Sequence, residues 1–374
     1  MHSLSSWTTL ALGDGTEPIG GARDFAPARY HHDMCHITQT VRTIDYHTAG
    51  EPFRIVVEGM PETSGETVAE RRVFAQNSAE IEALRHFLCR EPRGHADMYG
   101  GFIVPPDDDG ADFGVLFWHG DGFSTACGHG TIALGVWAVQ TGRVTAAADG
   151  VTPVTIDVPS GRVVAHVRQA AGVVTGVVFE NVPSYPVARD IELETSRGPV
   201  LVDLGFGGAL YACVEASALG LSVVPEEYDA LLRLGREIKW SLNDSDLARH
   251  PDDDRLSGVY GTIIFDDLGD TADGPHQRNV TVFADGRVDR SPCGSGTAAR
   301  LALLADSGRL RAGQMLTHDS IVGTRFLSRV RPGVPAGPKP GAIIPEVEGM
   351  AYKTGEHAFT LDLADPLATG LVLR

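Results

Sequence analysis

Two cysteines in this chain stand at the head of matching segments. Cys127-Gly128-His129-Gly130-Thr131-Ile132-Ala133 and Cys293-Gly294-Ser295-Gly296-Thr297-Ala298-Ala299 share the pattern C-G-x-G-T-x-A. Each runs into an apolar stretch that stops at a glycine the same distance on, within Thr141-Gly142-Arg143 and Ser307-Gly308-Arg309. The chain therefore holds two equivalent strand-turn-helix units, each presenting one thiol. A cysteine just before a helix faces unpaired backbone N–H groups and the positive end of the helix dipole. That setting lowers a thiol pKa, to about 3.5–7.5 against about 8.5 for a free thiol. The same N–H groups bind carboxylates, and the glycines permit close backbone approach. Two such units face to face would hold one carboxylate between two helix N-termini, with a thiolate and a thiol flanking its α-carbon. That geometry suits removal of a proton from one face and delivery to the other. The developing enediolate charge would fall where the N–H groups already point. Singly, each cysteine reads as a small buried core residue; the matched pair turns the reading toward chemistry.

Other chemistries fit less of the chain. Gly294-Ser295-Gly296-Thr297-Ala298-Ala299 matches the dinucleotide pattern G-x-G-x-x-A. That fingerprint follows directly from a buried strand in a βαβ unit, whereas Asp289-Arg290-Ser291-Pro292 intervenes here. A cysteine hydrolase using Cys127 and a histidine leaves the second motif unexplained. A pyridoxal-phosphate racemase needs a lysine, and Lys239, Lys339 and Lys353 lie in no recognisable cofactor context. A binding module on the same scaffold would keep carboxylate affinity without turnover. His31, His32, Cys35 and His36 have the residue types of a metal site, but nothing nearby completes a ligand set. They read as part of a polar tail.

The elements that must position the thiols are strands and turns with few helices. Ile44–Tyr46 and Phe53–Val57 read as strands around the turn Thr48-Ala49-Gly50, and Ala79–Leu88 has helical spacing. Phe102–Val104 and Gly114–Phe117 are short β-type runs, and Val154–Val158, Val163–Val167 and Val173–Phe179 alternate as an antiparallel meander would. Val200–Leu204, Tyr211–Val214, Tyr260–Phe265 and Asn279–Phe283 read as strands, and Glu226–Ile238 as a helix. Asp45 precedes Gly50, and Asp203 precedes Gly208, by the same interval, each with a hydrophobic strand following. This echo supports an internal duplication. The segments after the two cysteines leave almost no polar face, and a helix apolar nearly all round is buried. Each would be a central helix wrapped by strands, with Gly142 and Gly308 as the left-handed residues that end it.

The chain has 374 residues, 43% apolar, with a formal charge of −18. That suits two domains of ordinary size. Three parts are expected: a polar N-terminal arm over 1–40, a first lobe over 41–182 plus 346–374 carrying Cys127, and a second lobe over 183–345 carrying Cys293. No run approaches the roughly 18 apolar residues of a membrane span, and residues 1–40 show no secretory signal. The dispersed acidic charge argues against nucleic-acid and membrane partners. Five cysteines without framework spacing fit free thiols in a cytoplasmic protein.

Four segments together resemble the proline racemase family. They are Asp45-Tyr46-His47-Thr48-Ala49-Gly50-Glu51-Pro52, Glu91-Pro92-Arg93-Gly94-His95-Ala96-Asp97-Met98-Tyr99-Gly100, Cys127-Gly128-His129-Gly130 and Asp289-Arg290-Ser291-Pro292-Cys293-Gly294-Ser295-Gly296. The resemblance implies an α+β, diaminopimelate-epimerase-like fold: two pseudo-symmetric lobes, each a curved, mostly antiparallel sheet around a central helix. It also implies no cofactor, a small proline-like substrate and a homodimer. By position, Cys127 and Cys293 match the family's catalytic cysteines. The backbones of Gly128, His129, Gly294 and Ser295 match its carboxylate cradle. His129 and Asp289 match residues that hold the substrate amine, and Tyr99 and Phe283 match the wall near the ring. Glu91, Arg93 and Asp97 read as a structural turn network.

The family divides into proline racemases, 4-hydroxyproline 2-epimerases and trans-3-hydroxy-L-proline dehydratases. Dehydratases resembling the animal enzyme have threonine where this chain has Cys293, so the cysteine pair favours inversion of the α-carbon. Arg93-Gly94-His95-Ala96-Asp97-Met98-Tyr99 and Gly207-Gly208-Ala209-Leu210-Tyr211 look more like a dehydratase, which is the alternative. An aromatic wall at Tyr99 and Phe283 would favour an unsubstituted ring over 4-hydroxyproline, moderated by the hydroxyl of Tyr99.

Overall fold

A computed structural model describes residues 39–373 apart from 335, 336, 338 and 363. His31, His32, Cys35, His36 and the rest of the expected arm up to residue 38 lie outside the described residues. The fold is α+β: among the described residues, five α-helices accompany one continuous network of 18 strands. Most neighbouring strands run antiparallel, as in the meander Gly150–Val158, Gly161–Ala170 and Val173–Glu180. Parallel pairs join Glu51–Glu58 to Tyr99–Val104 and Leu210–Glu215 to Val259–Asp270. The strand Ala351–Leu361 returns to pair along the whole of Gln39–Thr48. The strand Pro345–Gly349 joins Arg325–Val330 to Val173–Glu180.

The helices are α1 (Val68–Gln76), α2 (Ala79–Cys89), α3 (Gly128–Gln140), α4 (Tyr228–Asn243) and α5 (Gly294–Asp306). The α3 and α5 helices begin one residue after the two cysteines. Every residue of α3 from Gly128 to Ala138, and of α5 from Gly294 to Leu304, is buried. Such helices need apolar partners on all sides, and the strands supply them. The α3 helix packs on Gln39–Thr48, Glu51–Glu58, the 150–180 meander and Ala351–Leu361. The α5 helix packs on Tyr185–Thr195, Gly198–Phe206, Leu210–Glu215, Arg325–Val330 and Pro345–Gly349. Gly142 and Gly308 follow these helices with φ of 71° and 72°, the left-handed residues that satisfy the last carbonyls. The echoed turns also match, with Gly50 at φ 95° and Gly208 at φ 91°.

The α4 helix buries Leu231, Leu234, Ile238 and Leu242 on one stripe. A Cβ on Gly235 would stand 2.6 Å from Val282, so bare backbone sets how closely this helix lies on the strand Pro275–Phe283. The α1 helix is not evident from apolar spacing, because its exposed face is interrupted by valine and phenylalanine. Its signal is the capping box between Thr67 and Glu70.

Candidate active site

The α3 and α5 helices meet end to end through their first residues. A Cβ built on Gly128 would lie 2.5 Å from the Gly294 Cα and 2.8 Å from the Ser295 nitrogen. One on Gly294 would lie 2.7 Å from the Gly128 Cα and 3.2 Å from the His129 nitrogen. Only glycine at both positions allows this approach. Free N–H groups of two helix N-termini therefore share one small region. Such a meeting of two positive helix ends suits an anion.

The thiols flank that seam. Cys127 is 4% exposed and Cys293 6%, and charge on Cys293 would raise the pKa of Cys127. Their surroundings differ in spite of the matched sequences. Cys127 caps α3 from extended backbone, and its sulfur accepts the Gly130 N–H at 3.2 Å. The His129 ring lies beside it, with Nδ1 at 3.5 Å. Cys293 sits at φ 63°, ψ 103° and caps nothing with its side chain. That is a costly conformation for a residue with a Cβ. Its thiol donates to the Tyr211 hydroxyl at 3.8 Å, and the same hydroxyl is 2.7 Å from Ser295 Oγ.

The loop entering α5 is held by polar contacts. Asp289 ends the strand Arg287–Asp289 and accepts the Ser291 N–H at 2.8 Å and the Ser291 hydroxyl at 2.7 Å on Oδ1. Its Oδ2 faces His129 Nδ1 at 3.9 Å. The Arg290 N–H donates to Glu51 Oε2 at 2.8 Å, and the Arg290 guanidinium pairs with Asp97 at 2.7 Å. Asn279 Nδ2 donates to the Pro292 carbonyl at 2.8 Å.

An aromatic cluster forms one wall. The Tyr99 ring meets His129 edge-on at 4.9 Å between centroids and lies 5.8 Å from Phe283. Tyr260 stacks on Phe283 at 5.6 Å. The wall is not purely apolar, because the Tyr99 hydroxyl contacts both Ser124 Oγ and, at 2.9 Å, the Tyr260 hydroxyl. A cavity of about 740 Å³ reaches this wall from outside; His119, Ser124 and Tyr260 line it, but neither cysteine does.

The electrostatics reverse one expectation. The helix ends alone would lower both thiol pKa values. In the folded protein, burial pushes both thiols up instead, and the Asp289 carboxylate adds to the rise. The Gly130 N–H opposes this at Cys127 but does not win. Desolvating a full negative charge outweighs one hydrogen bond to it. Burial likewise lowers His129, partly offset by Asp289. Before any substrate enters, the thiols and this imidazole are neutral near pH 7.

The fold brings Cys127, Cys293, Gly128, His129, Asp289, Gly294, Ser295, Tyr99 and Phe283 into one connected cluster. Arg93 stands apart, as a turn residue would: it donates to the Phe87 and Ala368 carbonyls. Asp97 lies closer to the site than a turn residue, through its pair with Arg290. Sequence reasoning misses Tyr211, Tyr260, Ser124 and Glu51. Glu51 is fully buried, and its Oε1 has no hydrogen-bond partner among the described residues. Burial and the charge of Asp289 hold its carboxyl well above the usual range, against the pull of Arg290. Its place in the segment Asp45–Pro52 is the one signal that marks it.

A sequence model described as proline racemase matches residues 43–372. The trans-3-hydroxy-L-proline dehydratase of Azospirillum brasilense is 42% identical over 339 residues, covering 90% of this chain and 99% of its own. The 3-hydroxyproline 2-epimerase of Burkholderia multivorans has the same identity and the same coverage of both chains. Among solved structures, a hydroxyproline epimerase from Agrobacterium vitis with bound trans-4-hydroxy-L-proline superposes with a TM-score of 0.82 at 30% identity. That match covers 91% of this chain and 97% of the epimerase. A phenazine biosynthesis protein of Bacillus anthracis, at 11% identity and a TM-score of 0.54, shares the fold alone.

Proposed function

This chain belongs to the proline racemase family, and on that premise we propose that it inverts the α-carbon of proline or a hydroxyproline by two-base proton transfer between Cys127 and Cys293. The observation that carries the proposal is the abutment of two helix N-termini at Gly128 and Gly294 with a thiol at each cap. The substrate carboxylate would lie over the seam, where the N–H groups of Gly128, His129, Gly294 and Ser295 converge. Asp289 and His129 would hold the ring ammonium. Its positive charge would offset the burial that keeps the thiols neutral, so that one releases its proton to solvent and becomes a thiolate. The thiolate takes the Cα proton, and the electron pair moves into the carboxylate as an enediolate that the helix ends stabilise. The opposite thiol then returns a proton to the other face. The scheme uses only this chain's own groups and calls for no cofactor or metal.

Within the substrate class, a ring hydroxyl at C3 is favoured. The relatives at about 42% identity are named for 3-hydroxyprolines. The hydroxyls of Ser124, Tyr99 and Tyr260 also give a ring hydroxyl polar company, which outweighs the argument for an unsubstituted ring. The same relatives support the alternative: abstraction of the α-proton and loss of the 3-hydroxyl as water from trans-3-hydroxy-L-proline. Cys293 supports inversion over elimination, because a second thiol is placed to return a proton to the opposite face.

We also propose a cytoplasmic homodimer, with 41–182 plus 346–374 as the lobe around α3 and 183–345 as the lobe around α5. No helix among the described residues is long and apolar enough to cross a membrane.

The test is a panel of proline and 3- and 4-hydroxyproline isomers in D2O, read by chirality, by α-deuterium and by pyrroline formation. Inversion with deuterium at the α-carbon is expected, and Cys127→Ser and Cys293→Ser should each lower it by several orders of magnitude in a folded protein. Pyrroline as the sole product, with Cys293→Ser fully active, would establish the dehydratase instead.

A further inference from the structure

We infer that Tyr211 is a positioning residue for the Cys293 thiol. The inference rests on the two-base reading above. The two motifs have the same sequence pattern but not the same backbone. Cys127 is locked by its own helix through the Gly130 N–H. Cys293, at φ 63°, makes no such capping bond, so something else must fix its sulfur. Among the described residues its thiol donates one hydrogen bond, to the Tyr211 hydroxyl, while the Gly296 N–H and the Thr281 hydroxyl also favour its thiolate form.

Tyr211 is suited to hold a position. It is fully buried in the strand Leu210–Glu215, which pairs on both sides. Its ring meets Tyr260 edge-on at 5.8 Å, and its hydroxyl is also pinned by Ser295 Oγ at 2.7 Å. A tyrosine has two side-chain torsions, and both are fixed by packing here. The hydroxyl contacts both the thiol and Ser295 in the first turn of α5, so it ties the sulfur to that turn. It also favours the thiolate form of Cys293.

Tyr211→Phe removes one oxygen and leaves the ring in place. A merely structural role would slow α-proton abstraction from the two enantiomers of a substrate alike. A role confined to Cys293 would not, and elimination can show the difference. With the enantiomers of trans-3-chloroproline, a thiolate takes the Cα proton, the pair forms the Cα–Cβ double bond, and chloride leaves with its bonding electrons. That reaction needs one base, whereas inversion needs both. Each enantiomer presents its α-proton to a different cysteine.

In Tyr211→Phe, inversion is expected to fall roughly tenfold or more, the worth of one positioned hydrogen bond. It must fall by the same factor in both directions, because the equilibrium constant belongs to the substrate. Elimination should fall with it for one enantiomer and stay within about twofold of wild type for the other. Equal loss for both enantiomers, or inversion within about twofold of wild type, would overturn the inference while leaving the two-base reading intact. A wild-type protein that neither inverts nor eliminates would overturn that reading and the inference with it. A second measurement does not depend on turnover. Iodoacetamide labelling resolved by mass spectrometry should show the Cys293 pH profile displaced upward in Tyr211→Phe and the Cys127 profile unmoved. A Cys293 profile identical to wild type would count against the role.

Discussion

Replacing Gly128 with alanine tests the central contact directly. The added Cβ would lie 2.5 Å from the Gly294 Cα, 2.7 Å from the Gly294 carbonyl carbon and 2.8 Å from the Ser295 nitrogen. Unbonded carbons settle at about 3.5–4.0 Å, so the two helix ends must part by about 1 Å. All three obstructing atoms are backbone, so no rotamer change relieves the clash. Overpacking of this kind costs about 1–3 kcal/mol of stability. The larger effect should be on rate, because a displacement of about 1 Å in a preorganised site costs on the order of a hundredfold. Gly142→Ala is the matched comparison. Its φ of 71° also disfavours a side chain, but a Cβ there meets nothing within 4 Å among the described residues. It should lose about 1–2 kcal/mol to left-handed strain and keep full activity. Urea midpoints with constant m-values give the stabilities, and polarimetry of α-carbon inversion gives kcat/KM. If Gly128→Ala inverts within about threefold of wild type, the two helix ends are not a joint carboxylate site.

Two further outcomes follow from the buried charges. Burial raises both thiols, so iodoacetamide should label Cys127 and Cys293 slowly at pH 7 in the substrate-free protein and faster as pH rises above the ordinary thiol range; rapid labelling at pH 6 would refute the burial argument. Glu51→Gln should gain stability relative to wild type as pH rises from about 4 toward 7. The sign follows from a folded pKa above the unfolded one: the wild-type carboxyl is at no disadvantage below about 4.3, and the cost grows as the unfolded chain loses its proton. Urea midpoints at pH 4 and pH 7 check this, and a relative loss at pH 7 would show that Arg290 outweighs burial.

The local elements were legible because their signals are local. Apolar runs marked the helices after the cysteines, and Gly142 and Gly308 marked where they stop. Alternation marked the meander at 150–180. Helix α1 was hidden because its apolar residues do not keep one face, and the strand Tyr185–Thr195 because most of its side chains stay at least partly exposed.

The sequence by itself determined that two thiols would sit at two helix starts, since C-G-x-G-T-x-A followed by an apolar stretch specifies that locally. Only the tertiary structure decided that the two starts touch, because Gly128 and Gly294 meet across a gap of 166 residues that no periodicity bridges. It also decided the state of the thiols. Helix-end polarity can be read from position, but burial is a property of everything packed around the site, and here burial prevails. For the same reason, motifs that share one pattern became unequal sites: the turn before Cys293 is held by Asp289, Ser291 and Asn279, and its thiol donates to a tyrosine from another strand.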